Sequence, residues 1–563
     1  MPTIYRNAKY PSVEWPKLDL LTLLFDSEHT LAQDDAILHI SAENPKRTLT
    51  KRALRSLTQR IAHTLRTKYG VGSSGPGNDV VTVMSHGQPA LAAAFLGVIA
   101  AGGVYSAASP SLSADELSHQ VRVGDTKLII CSQEVKEVAC QTARSNSLPL
   151  ENVLVLESDP LWSLKRVTDG IELLTEHQLV WETITDPARL KESLIVIVWS
   201  SGTTGVPKGV MLSHQNLVSH TYIQHYQGRE LAAKQVAEGT YEPWEFRILA
   251  HLPASHISGL FGYLISAHYG GGVVVWMRKY QWDLFLAYTK RFRITYMFTV
   301  PSIYLRIAKS PDVTDQFASL RTAATGSAPM DSNLQASAST KLRLANDWLV
   351  GPTWGLTETT GGVTMTQSYQ NDEIGSLGPL LPCLELRLVD DNFVDVKDGE
   401  PGELLVRGPT VMNGYFNNPE ATKEAFHEHW LRTGDIAIRR AGHFYIVDRK
   451  KELLKYKGLQ IAPAELEHLL IQHPAVHEAA VIGVPSPDDP SSDLPRAYVV
   501  AGSSDVTEQE IQRYVKERLA AHKQLRGGVV FVDEIPKNAS GKVLRRELRD
   551  RARRELGQGR AKL

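Results

Sequence analysis

Short apolar runs rich in β-branched residues recur along the chain: "DVVTVM" at 79–84, "KLIICS" at 127–132, "LIVIVWSS" at 194–201 and "GGVVVWM" at 271–277. They alternate with helical stretches such as "ADELSHQVRVG" at 114–124. That alternation predicts an α/β architecture with buried, largely parallel strands. Ser113, with Glu116 three residues on, forms a capping box that opens one of these helices. The longest apolar stretch, "ALAAAFLGVIAAGGVY" at 90–105, is short for a membrane span and ends in Gly102-Gly103. It predicts a buried helix running into a strand.

The pattern shifts after about Ser376. "GPLLPCLELRLVD", "GELLVRG" and "GHFYIVDRKKELLKYKG" read as short strands joined by turns, a smaller β-rich subdomain. Past Arg449, "APAELEHLLIQHPAVHEAAVIGVP" predicts a helix and then a strand, and "TEQEIQRYVKERLA" a second helix. A chain of 563 residues is too long for one ordinary core. The expectation is a large N-terminal domain over 1–449, with parallel-rich sheets, helices and the β-rich subdomain, and a small mobile α+β domain over 450–563. The boundary falls in the charged turn "DRKKE".

Composition narrows the class. With 42% hydrophobic and 22% charged residues the chain reads as a soluble globular protein, and a net charge of −1 points to neither nucleic acid nor an anionic membrane. Three cysteines (Cys131, Cys140, Cys383) without a CxxC or a metal-like cluster fit a reducing compartment. The first twenty residues lack the apolar core of a signal peptide. The last three, Ala561-Lys562-Leu563, are similar to the C-terminal peroxisomal address Ser-Lys-Leu, in the basic, polar context "RARRELGQGRAKL". The expected location is the peroxisome, through its import receptor, with the cytoplasm as the alternative.

The candidate chemistry begins at "VWSSGTTGVPKGVMLSHQN". It has the composition of a phosphate cradle but not the Walker spacing, because Lys208 follows Gly205 by three residues and precedes Gly209. Gly202 and Gly205 permit tight backbone geometry. Ser200, Ser201, Thr203 and Thr204 add hydroxyl donors, and Lys208 a point charge against polyphosphate. Alone, such a cluster is most often a surface turn. Four further segments outweigh that reading. "GLTET" offers Glu358 beside hydroxyls, suited to Mg2+ on phosphate oxygens. "RTGD" is expected to put Asp435 in a tight turn, where a carboxylate accepts from both ribose hydroxyls. "YIVDRKKELLKYKGLQIAPAELE" and "IPKNASGKVLRREL" complete the set.

In this order the motifs resemble the adenylate-forming superfamily of acyl- and aryl-CoA synthetases, 4-coumarate–CoA ligases and beetle luciferases. The resemblance implies that a carboxylic acid is joined to AMP with release of pyrophosphate, and that the acyl group then passes to coenzyme A. It implies that Lys542 bridges the attacking carboxylate and the α-phosphate, and that Lys208, Glu358 with Mg2+ and the loop donors neutralise the leaving pyrophosphate. Asp435 and Arg449 would fix the ribose, and Gly326, Ser327 and Ala328 would border adenine and the acyl carbonyl. Gly355 and Thr357 would also contact the nucleotide, and Lys455 and Gln460 match further nucleotide contacts. For the second step the C-terminal domain would rotate about a hinge at Lys451 and present Lys457 and Gly458 to coenzyme A, with Lys279 near its nucleotide phosphates.

The pattern also breaks. Where the family carries Gln-Gly-Tyr-Gly, the chain reads "PTWG", so Trp354 replaces the stacking tyrosine while Pro352 and Thr353 reshape the acyl side. His256 matches the gate to the acyl pocket, and Ser258 stands where coumarate ligases tend to have tyrosine. That favours an aliphatic or non-phenolic aryl acid over 4-coumarate. The alternatives are an adenylation enzyme loading a separate carrier protein, a luciferase-like oxygenase, and a non-catalytic protein on the same fold.

Overall fold

The four apolar runs form the strands Val80–Met84, Thr126–Cys131, Leu194–Ser200 and Val273–Trp276. The computed structural model describes residues 2–200, 206–330, 332–344, 348–366, 374–457, 459–487, 489, 492–502, 506–538 and 541–560, the last five as backbone only. The chain divides into two compact units. One comprises Ile4–Leu386 and Val406–Leu431, the other Met1–Thr3, Arg387–Leu405 and Arg432–Leu563. The β-rich segment after Ser376 is thus shared between the units.

The larger unit is built on two sheets of the same design. In the seven-stranded sheet, Leu194–Ser200, Val104–Ala108, Val80–Met84, Thr126–Cys131 and Val153–Glu157 run parallel in that spatial order, with antiparallel Lys208–Ser213 and Ser163–Arg166 at the edges. The eight-stranded sheet likewise has a parallel interior, from Gly351–Leu356 to Ile37–Ser41, and antiparallel edge strands Gly361–Met365 and Thr48–Thr50. Parallel strands need cover on both faces, and the period of two supplies it. Val81, Val83, Leu128 and Ile130 face a core that they share with Ile248 and Val274 of the other sheet. Their neighbours Met84, Ile129 and Cys131 pack under a different cluster, and Leu249 and Val275 under a third. The predicted buried helix, Ala90–Ala100, lies wholly inside the shared core and runs into Val104–Ala108. Ser113 and Glu116 close the predicted capping box on Ala114–Val123.

In the smaller unit, Val476–Pro485, Asp493–Ala501 and Val529–Phe531 form a three-stranded sheet. Val481 and Val499 face Leu466, Leu470, Ile511 and Val515 of the two predicted helices, here Pro463–Ile471 and Glu508–Arg518. Ile482 and Tyr498 face Leu548 and Ala552 of Arg545–Arg560. Cys131, Cys140 and Cys383 are free thiols. Among the described residues no helix is long and apolar enough to cross a membrane.

Candidate active site

The glycine loop leaves the strand Leu194–Ser200 and returns in the antiparallel strand Lys208–Ser213, with Lys208 opposite Ser200. A Walker loop opens a helix, whereas the described residues on either side of this loop are antiparallel strands. Ser201, Gly202, Thr203, Thr204 and Gly205 lie outside the described residues. Ser200 Oγ is buried without a hydrogen-bond partner among the described residues.

Lys208 Nζ stands 5.1 Å from the centroid of the Tyr415 ring, and the Tyr415 hydroxyl donates to Glu358 Oε1 at 2.9 Å. Burial, with the Glu358 charge beside it, pushes the phenol pKa up, so the hydroxyl stays a donor. Tyr415 is held by its neighbours: Phe416 N–H donates to Gly209 O (2.7 Å), Met211 N–H to Gly414 O (3.0 Å) and Met412 N–H to Glu358 O (2.9 Å). Segment 412–416 therefore ties the lysine strand to the glutamate turn. Within "MNGYFNNPE" nothing marks Tyr415 beyond turn chemistry, because its partners are far away in sequence.

Glu358 sits in the single turn Thr357–Thr359, where Thr359 Oγ1 accepts from Leu356 N–H at 2.9 Å. Gly355 leads into this turn. A Cβ there would stand 1.9 Å from Gly361 O, so any side chain would force apart the hairpin that carries Glu358. Trp354, in the same strand, is buried, with Pro352 and Thr353 half-buried before it. Pro352 pairs with Thr325, the residue preceding Gly326-Ser327-Ala328, which brings the two predicted segments side by side. Ser327 adopts a left-handed φ of +71°, a conformation costing a non-glycine residue about 1–3 kcal/mol that clusters at ligand sites. Thr325 Oγ1 is buried with no partner among the described residues, and nothing in the sequence distinguishes it. His256 and Ser258 pair with each other, Nδ1 to Oγ at 2.9 Å. Lys279 is exposed beside Arg278, whose guanidinium is held by Glu134 (2.5 Å) and Glu157 (3.0 Å).

The remaining candidates lie in the smaller unit. Asp435 is not in a tight turn. It lies inside the strand Trp430–Arg440, opposite Arg449 of His443–Arg449. Gly434 has a left-handed φ of +69°, and the ladder with His443–Arg449 begins directly after it at Asp435, with a register shift between Ile436 and Ala437. Asp435 Oδ1 takes Arg449 Nε at 2.6 Å with the carboxylate 5% exposed. Lys542 shares this field. Burial, then the charges of Arg449 and Lys451, lower its pKa to about 8, opposed by Asp435 and Glu452. Its backbone is fixed by Asn538, which accepts from Lys542 N–H and donates to Lys542 O, both at 2.9 Å. Burial also lowers the pKa of Lys451. Asp435, Arg449, Lys451 and Lys542 thus form one electrostatic cluster. A second group is a hairpin in which Lys455 pairs across from Gln460 and Lys457 turns the corner at φ +50°. Gly458 lies outside the described residues.

The sequence profile of the AMP-binding enzymes matches residues 28–416, and that of their C-terminal domain matches residues 465–542. This chain belongs to the AMP-binding enzyme family. It is 46% identical over 552 residues to a protein named as an acyl-coenzyme A synthetase of Emericella nidulans, covering 97% of this chain and 98% of the relative. A phenylacetyl-CoA ligase of Aspergillus niger is 32% identical over 555 residues, covering 97% and 99%. Among solved structures, ATP-bound MatB from Rhodopseudomonas palustris superposes with a TM-score of 0.79 at 27% identity, covering 95% of this chain and 98% of that one. The chain is accordingly an AMP-forming acid–thiol ligase that uses ATP and coenzyme A.

For an AMP-binding enzyme, the donor set around Glu358 suits a hard cation. One carboxylate oxygen is taken by Tyr415. Among the described residues there is no group of three His, Cys, Asp or Glu that could form a protein cage. A single carboxylate completed by substrate phosphates is how Mg2+ is usually held at nucleotide sites.

Proposed function

We propose that this ligase activates an aliphatic or non-phenolic aryl carboxylic acid as its acyl-adenylate on the Lys542 cluster and then transfers the acyl group to coenzyme A. The observation that carries this reading is the pairing of Asp435 with Arg449 beside Lys542. It puts a carboxylate suited to ribose hydroxyls next to a cation suited to the α-phosphate. In the first step the acid oxygen attacks the α-phosphorus and the bond to the β-phosphate oxygen breaks, releasing pyrophosphate. Lys542 draws the two anions together, and Lys208 with the glycine-loop donors takes up charge on the leaving group. Glu358 would hold Mg2+, which when bound neutralises phosphate charge. Asp435 and Arg449 orient the ribose, while Trp354, Gly355, Thr357 and Gly326-Ser327-Ala328 border the base.

In the second step the thiol attacks the acyl carbonyl and AMP leaves. Turning about Lys451 would exchange Lys542 for the hairpin of Lys455, Lys457, Gly458 and Gln460, with Lys279 toward the coenzyme A phosphates. Pro352, Thr353, His256 and Ser258 shape the acyl side. Carrier-protein loading and luciferase-like oxygenation are less favoured, since the relatives just described are named as coenzyme A ligases.

The test is incubation with ATP, Mg2+, coenzyme A and a broad panel of carboxylic acids. Thioester with stoichiometric AMP is expected for at least one aliphatic or aryl acid, and the absence of both products across the panel would sink the reading. Tyr415→Phe keeps the ring under Lys208 but frees Glu358 Oε1. It is expected to lower pyrophosphate exchange about tenfold, as for one charge-assisted hydrogen bond, and to raise the Mg2+ concentration giving half-maximal rate. An unchanged Mg2+ dependence would remove Tyr415 from the site. Ala561-Lys562-Leu563 supports import into the peroxisome. A fluorescent fusion that keeps its location after loss of these three residues would contradict this.

A further inference from the structure

Contacts at Arg278 tie together residues from the carboxyl ends of five parallel strands. Glu43 follows Ile37–Ser41, Gly87 follows Val80–Met84 and Glu134 follows Thr126–Cys131, while Glu157 ends Val153–Glu157 and Arg278 follows Val273–Trp276. The first and last of these strands belong to the eight-stranded sheet and the other three to the seven-stranded one. The crevice outside such strand ends is where open α/β sheets bind their ligands.

Arg278 is held at three points. Its N–H donates to Glu43 Oε1 at 3.0 Å, and its carbonyl accepts from Gly87 N–H at 3.1 Å. Its guanidinium donates to both oxygens of Glu134, at 2.5 and 2.8 Å, and to Glu157 Oε2 at 3.0 Å. Gly87 permits the close approach, since a Cβ there would stand 2.2 Å from Met277 O. The planar fork suits this grip on two carboxylates, which an ammonium cannot copy. Lys279 therefore leaves a fixed stretch of backbone. It is exposed and forms no ion pair among the described residues. Its charge lies in the same field nonetheless. Burial lowers the pKa of His86, and the charges of Glu134, Arg278, Lys279 and Glu157 all act on that ring, which stands 3.9 Å from Glu134 Oε2.

We propose that Arg278 is a positioning residue that, by holding Glu134 and Glu157, keeps Lys279 uncommitted and available to the nucleotide phosphates of coenzyme A. This rests on the reading of Lys279 as a coenzyme A contact. A lysine beside two unneutralised carboxylates would pair with them, and their charge would repel an incoming phosphate. Arg278 removes both obstacles, because its guanidinium is always charged and engages the two carboxylates together. In the sequence the two cations of "RKY" look interchangeable. The geometry separates them, one bound into the protein and one left for a ligand.

The test is calorimetric titration of the full-length enzyme with coenzyme A, with pantetheine, which carries no phosphate, and with ATP. Arg278→Gln is expected to weaken coenzyme A binding about tenfold, as for one lost hydrogen bond to a charged group, and to leave pantetheine and ATP unchanged. Adding Glu134→Gln and Glu157→Gln to Arg278→Gln should restore most of the coenzyme A affinity, because neither carboxylate then captures Lys279. A merely structural Arg278 predicts the opposite, a further loss with each broken contact. In a Lys279→Gln background Arg278→Gln should add little. If Arg278→Gln does not fold, Arg278→Lys carries the same test: one ammonium cannot grip both carboxylates, so binding should weaken and recover in the same way. Unchanged coenzyme A affinity in the Arg278 variant, an equal loss for pantetheine or ATP, or no recovery in the triple variant would overturn the proposal and leave Lys279 as a contact. Coenzyme A bound as tightly by Lys279→Gln as by the wild type would instead overturn the reading of Lys279, and the proposal with it.

Discussion

Lys542→Ala is expected to lower acyl-adenylate formation by about 10²–10³-fold, the usual cost of removing one electrostatic contact to a transition state. ATP affinity should stay within a few-fold if Asp435 and Arg449, which remain paired, hold the ribose as proposed. In its proposed role the lysine contributes only where two anions meet, so its loss would appear in rate rather than in binding. Pyrophosphate exchange with saturating acid and ATP measures it, and near wild-type exchange would refute the role. The lowered pKa adds a pH signature. Lys542 is a cation below about pH 8 and loses its proton above it. Adenylation should therefore fall as pH rises through that value. Lys451→Ala removes a like charge that helps lower the pKa, so the fall should move to higher pH. Stability runs the other way. The unfolded chain holds this proton up to a pKa of about 10.4, so between the two values the unfolded state binds more protons and folding gains as pH rises. Activity that declines while thermal stability holds or climbs distinguishes titration of Lys542 from alkaline unfolding.

The second large effect is expected from Lys451→Pro. Glu452 N–H and Leu453 N–H both donate to Arg449 O, at 2.9 and 3.2 Å, so Lys451 lies inside a tight turn. Proline there fixes φ and drives Lys450 toward extended geometry. Lys450 beside it is anchored by Glu403 at 2.9 Å and Asp391 at 2.6 Å. If the second step needs rotation here, thioester formation should drop on the order of 10²-fold, the cost of an ångström-scale misplacement of reacting groups. Acyl-adenylate formation should change little. Single-turnover measurements of the two steps separate them, and an equal loss in both would count against a hinge at this residue.

Much of this protein is local and was open to reading in the sequence. Continuous apolar runs such as "LIVIVWSS" specify strands covered on both faces, and the Ser113–Glu116 spacing specifies a helix start, because burial and capping act over a few residues. The order of the glycine loop, "GLTET", "RTGD" and "PKNASGK" carries the family by the same logic, since each motif is a contiguous piece of backbone. What lay beyond the sequence depends on pairing across the chain. Asp435 reads as a turn residue beside Gly434, yet the ladder with His443–Arg449 keeps it in a strand and delivers Arg449 to its carboxylate. Tyr415 has no mark of its own and gains one only when it meets Glu358 and Lys208, residues from two distant segments. The chain's local chemistry determined which groups this enzyme possesses. Only the tertiary structure decided which charges and hydrogens face one another, because these contacts form between segments that the sequence keeps far apart.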